Sequence, residues 1–236
     1  MRHFFIGLGA ILLFSPTYYV SGESCDPNYG FVEVPLRAQE GGSLCWAATE
    51  QMVMESHGQK YYRPQCLLVT EALRSQGLLP RNTRSCCDQG NMIDLACDTP
   101  AWPDFPGQNF HVIDPEKVMR PKGGLTWDEI TDQICRQHPF VITLERKDPA
   151  NPNDEGSAHQ WVIGGYKVLP TSGKRVIWVI DPNGAHLGEP NNEPIVRWRS
   201  FQHFYTKALG LGRGATHSND YIEICPKGSM KDGKCG

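Results

Sequence analysis

"AHQWVIGGYKVLPTSGKRVIWVID", residues 158–181, holds two runs of β-branched and aromatic residues either side of a segment containing Pro170 and Gly173. Val, Ile, Trp and Tyr fit a pleated, half-buried surface, while Pro and Gly mark reversals. The runs therefore read as neighbouring antiparallel strands. Similar runs flank them: "FVITLE" from Phe140, "IVRW" from Ile195 and "YIEIC" from Tyr221, again separated by Pro, Asn and Gly.

Upstream of Phe140 the period changes. Ser43 is placed to cap a helix running to about Ser56, with Gly58 ending it. Pro64 opens a second helix, "PQCLLVTEALRSQ", which Gly77 closes. In "TWDEITDQICRQH", Thr126 and Glu129 stand at capping-box spacing, and Trp127, Ile130, Ile134 and His138 recur at helical intervals before Pro139. The lead-in "CDPNYGFVEVPLRAQEGGS" reads as extended and turn-rich. Residues 80–124 read as a long loop region with three cysteines, which needs bridges to stay ordered. Helices precede strands, which is the α+β pattern: a helical part, about 43–138, packed on a mostly antiparallel β part, about 139–236.

The 236 residues begin with "MRH" and the apolar run "FFIGLGAILLF", followed by the small or permissive residues Val20, Ser21 and Gly22. That run is short of the ~20 apolar residues that cross a bilayer, so residues 1–22 read as a secretory signal peptide. No later segment is apolar enough to insert. Residues 23–236 suffice for one domain, and a secreted or periplasmic location is expected. A net charge of −3 without long charge runs makes nucleic acid an unfavourable partner.

Nine cysteines stand at 25, 45, 66, 86, 87, 97, 135, 225 and 235. Export makes disulfides the default, and an odd count leaves one thiol over. The vicinal Cys86 and Cys87 are expected to bond elsewhere rather than to each other. Zinc is disfavoured because neither C-x-x-C nor H-x-x-x-H spacing occurs, and no cofactor is expected.

Position and the odd count favour Cys45 as the cysteine left over, against the plainer alternative that it is half of a disulfide. At the first turn of a helix its sulfur lies near the positive end of the backbone dipole, an environment that favours the thiolate. A cysteine nucleophile needs a base, and the base needs an orienting group. Of eight histidines, His3 leaves with the signal, His57 and His138 sit at helix ends, and His111, His186, His203 and His217 lie in or near loops. His159 differs: it follows Gly156, Ser157 and Ala158 and begins a core strand. Asp181 ends the next strand, where antiparallel pairing would bring it beside His159; an Asp-Pro turn is the plainer alternative. Gln39 precedes Cys45 by six residues and can donate, with the Cys45 N–H, to an oxyanion; a solvated loop glutamine is the plainer alternative. Trp46 and Trp161 are expected along the cleft.

Together "VPL..Q.....CWAA...MV" (Val34–Val53), "AHQWVIGGY" (Ala158–Tyr166) and "VIDP" (Val179–Pro182) resemble the bacterial papain-fold cysteine proteases of the avirulence-protein type. More distantly they are similar to papain and the bacteriocin-processing peptidases. The resemblance implies a papain-like fold and a cysteine endopeptidase acting on protein or peptide, and a monomer is expected. It implies Cys45 as nucleophile, His159 as base, Asp181 as orienter and Gln39 as oxyanion donor, with a thioester intermediate. Acyl transfer of the transglutaminase or amidase kind, and an inactive disulfide-rich binding homologue, are the alternatives.

Overall fold

The structure is a computed structural model that describes residues 25–87, 94–113, 125–146, 157–183, 194–201 and 215–236. The proposed signal peptide, His186 and His203 lie outside the described residues, as does the side chain of His217. In chain order come β1 (Tyr29–Phe31), α1 (Cys45–Ser56), α2 (Gln65–Ser75), β2 (Phe110–Ile113), α3 (Trp127–Cys135), β3 (Phe140–Arg146), β4 (Ser157–Val168), β5 (Arg175–Asp181), β6 (Ile195–Ser200), β7 (Ala215–Pro226), β8 (Met230–Lys231) and β9 (Lys234–Cys235). This is an α+β architecture.

One seven-stranded antiparallel sheet dominates, in the order β2-β7-β3-β4-β5-β6 with β1 added to β4. The β4–β5 hairpin lies between β3 and the edge strand β6. Its turn is closed by Gly173, at φ +63°, whose N–H donates to the Leu169 carbonyl at 2.8 Å. Glycine holds that backbone at the least steric cost. β1 continues along the edge of β4 that β3 covers up to Ile163, while on the opposite edge the β4–β5 register shifts between Ile163 and Gly165. A Cβ on Gly165 would stand 3.0 Å from the Gly30 carbonyl oxygen, so a small residue is needed where β1 approaches.

α1 packs against β3, β4 and β7 and is buried from Cys45 through Glu55. Its polar residues therefore need internal partners. Thr49 Oγ1 meets Gln160 Oε1 at 3.2 Å, Gln51 donates to the Arg63 carbonyl at 2.7 Å, and Glu55 takes a two-pronged bond from Arg37. α3 starts with a complete capping box between Thr126 and Glu129, and its buried Trp127, Ile130 and Ile134 join the main core. Trp127 meets Tyr166 of β4 edge-on, with ring centroids 5.6 Å apart. A second, smaller core lies between α1 and α2 and holds Leu44, Trp46, Ala47, Val69, Ala72 and Leu73 with Cys86 and Cys97.

Four disulfides join Cys25 to Cys135, Cys66 to Cys87, Cys86 to Cys97 and Cys225 to Cys235. The vicinal pair thus bonds in two directions, to α2 and to the loop beyond. Cys45 has no bridge.

Ser43 is not the cap of α1. Leu44 occupies that position without a side-chain bond, and the Ser43 N–H instead donates to Asp98 Oδ1 at 2.8 Å. Within the stretch read as loop, β2 pairs with β7, and β1 forms within the lead-in. Among the described residues no helix is long and apolar enough to cross a membrane.

Candidate active site

Pairing of Val162 with Ile180 and Ile163 with Val179 sets the start of β4 beside the end of β5. His159 and Asp181 occupy those two ends, and His159 Nε2 lies 2.7 Å from Asp181 Oδ1. Their side chains are only 10% and 6% exposed, so water competes little for this contact. The same Oδ1 accepts from the Asn183 N–H at 2.9 Å, which fixes the carboxylate from the turn that follows it. Trp161 stands edge-on to the imidazole, with centroids 6.2 Å apart.

Cys45, the first residue of α1, hydrogen-bonds to the same imidazole. Nε2 serves Asp181, which leaves Nδ1 for the sulfur. Burial by itself pushes His159 down, but the bonds to Asp181 and Cys45 outweigh it and lift its pKa to about 9. An imidazole in that setting keeps its proton at neutral pH. The structure thus brings three of the sequence candidates into one connected set.

Gln39 lies just upstream, in the segment leading into α1, and is 3% exposed. Its backbone N–H donates to the Pro182 carbonyl at 3.0 Å, tying this segment to the residue after Asp181. Its side-chain amide donates to the carbonyls of Gly41 at 2.6 Å and Gly42 at 3.0 Å. Both amide protons are thus held by the loop that leads to Cys45. Trp46, expected along the cleft, is buried in the smaller core, with Nε1 donating to the Thr99 carbonyl at 3.3 Å.

Two residues that sequence reasoning passed over shape this region. Gln65, read only as part of the second helix, donates to the Ala38 carbonyl at 2.7 Å and accepts from the Glu40 N–H at 3.0 Å, bracing Gln39 on both sides. Asp98 accepts from the N–H groups of Gly42 and Ser43, each at 2.8 Å. Its partners lie 56 and 55 residues away in sequence, beyond any local pattern.

His57 and His138 lie apart from this set and pack with each other, ring centroids 6.0 Å apart. Burial, reinforced by His138, drives His57 down to about 4. His138, Glu223 and Cys235 place possible ligand atoms within 4.8 Å of one another. The Cys235 sulfur is committed to Cys225 and Glu223 to Arg136 and Gln133, so the trio is a poor donor set for a metal.

A bridge-free cysteine at a helix start, bonded to a histidine that a carboxylate holds, is the arrangement of a cysteine peptidase relative. Residues 31–210 match the family model of the Peptidase_C39 like family. The chain belongs to that family, whose name marks it as one of cysteine peptidases. No curated protein matches it.

Proposed function

We propose that the protein is an exported, papain-like cysteine endopeptidase in which Cys45, His159 and Asp181 act as a triad. The observation that carries this reading is the continuous contact from Cys45 through His159 to Asp181, with 2.7 Å between the last two. Cys45 attacks the peptide carbonyl as thiolate, with its proton already on His159. Asp181 holds the imidazolium by its charge and orientation. The oxyanion takes hydrogen bonds from the Cys45 N–H and from Gln39, whose amide shifts one proton away from a loop carbonyl. One such donor contributes ~2.7–4 kcal/mol to transition-state stabilisation. His159 then protonates the leaving amine, and water, activated by the imidazole, hydrolyses the thioester.

Export is supported by four disulfides, which persist in oxidising compartments. A monomer acting on protein or peptide without a cofactor fits the same reading, as does an apolar leader at residues 1–22. A carboxylate at position 181 also suits acyl transfer to amines. Incubating casein with and without a fluorescent primary amine separates the two: hydrolysis yields fragments, transfer yields labelled intact casein. Fragments that disappear with Cys45→Ala support the endopeptidase; intact, unlabelled casein in every arm overturns both readings and leaves a binding protein.

A further inference from the structure

The loop Gly41–Leu44 that delivers Cys45 to its helix has no side-chain cap of its own. What holds it comes from elsewhere. Asp98 spreads its two carboxylate oxygens over two consecutive amides, Oδ2 on Gly42 and Oδ1 on Ser43, both at 2.8 Å. Charged acceptors make such bonds short and strong, and a two-pronged contact also fixes direction. The fit leaves no slack: a Cβ on Gly41 would stand 2.8 Å from Asp98 Oδ1.

Asp98 is itself anchored. It follows Cys97, which is bridged to Cys86, and the Cys86 N–H donates to Thr70 Oγ1 of α2 at 2.7 Å. The next residue, Thr99, accepts from the Trp46 indole at 3.3 Å. On the far side of the clamped loop, the Gly41 and Gly42 carbonyls hold the Gln39 amide. A chain of named contacts therefore runs from the Cys86–Cys97 bridge through Asp98 and the loop to Gln39 and the amide of Cys45.

We propose that Asp98 is a positioning residue for acyl transfer: it sets the loop that aims the oxyanion donors and leaves the Cys45–His159 pair to be made by other elements. This rests on the peptidase reading above. It makes a distinction that a merely structural clamp would not. Alkylation by iodoacetamide needs the thiolate but no oxyanion donor, whereas acylation needs both.

The test compares the full chain with Asp98→Ala and Asp98→Asn. Three quantities are read: casein-peptide kcat and KM, the rate of Cys45 acylation by p-nitrophenyl acetate, and the rate of Cys45 alkylation by iodoacetamide. Melting curves check folding. The expected result for Asp98→Ala is a fall of at least tenfold in kcat and in acylation, with KM and alkylation within threefold of wild type. Asp98→Asn keeps the shape and one acceptor oxygen and should fall in between; if the alanine variant does not fold, the asparagine variant decides. Acylation unchanged in both variants, or acylation and alkylation falling together, overturns the proposal. If wild-type Cys45 alkylates but is never acylated, the peptidase reading fails first and this proposal with it.

Discussion

At position 159 an ordinary imidazole is placed where burial opposes its charge and two partners favour it. The partners prevail, which gives a pH dependence with a definite sign. A histidine lifted from 6.5 to about 9 stays protonated through neutral pH and loses its proton, with the favourable contacts that depend on it, as pH rises through that value. Peptidase activity should therefore decline through an alkaline limb near pH 9. Asp181→Asn removes one of the two charges that lift His159, so a pH–rate profile of that variant should show the limb at lower pH. An unmoved limb would mean that Asp181 does not act on His159 electrostatically. Asp181→Ala also loses the acceptor that orients the ring, and a fall of about 10²-fold or more in kcat is expected; activity equal to wild type would reduce Asp181 to a turn residue. That Cys45, His159 and Asp181 meet was legible in the sequence because each sits at the end of a local pattern: a helix start, a strand start and the end of the adjoining strand. Asp98 and Gln65 were not, because their roles arise only where distant segments meet.

The long elements were the readable ones. Five apolar runs became β3 to β7, and all three helices formed within a few residues of their expected bounds. The short strands were missed for a physical reason. β1 and β2 hold three and four residues, too few to show alternation, and they exist because β4 and β7 offer open edges far along the chain. The start of α1 differs from the reading because a serine in the right place is only a candidate cap; Leu44 takes the cap position without a side-chain bond, and Asp98 holds the loop before it through Gly42 and Ser43. The start of α3 was read from the Thr126–Glu129 spacing, and both reciprocal bonds are present. Thr126→Ala should cost ~0.5–2 kcal/mol of stability, read as a lower midpoint in urea at an unchanged slope. No change in midpoint would show that packing alone sets where that helix begins.

At the scale of the molecule, disulfides and a partly buried ion pair between Arg136 and Glu223 tie helices to the sheet. Glu223 of β7 accepts from Gln133 at 2.8 Å and from Arg136 at 2.9 Å, joining the end of α3 to the sheet. Burial alone would raise this carboxyl, but Arg136 and Gln133 outweigh it and hold it at about 2. A depressed carboxylate contributes stability above its unfolded value and loses it as pH falls toward the folded one. Thermal stability should therefore decline from about pH 4.5 toward 2. Arg136→Ala should flatten that decline and cost roughly 1.5–3 kcal/mol at neutral pH; a variant with the wild-type acid slope would show that other carboxylates govern it.

Eight sulfurs are locked in bridges and the ninth, Cys45, has no bridge and lies beside an imidazole whose pKa is lifted to about 9. Treating the folded protein with iodoacetamide at pH 7, without reductant, and mapping the adduct by mass spectrometry tests this most directly. One label per chain, on Cys45, with casein cleavage lost in proportion to labelling, is the predicted result. No label at Cys45, or full labelling there with cleavage undiminished, would contradict it.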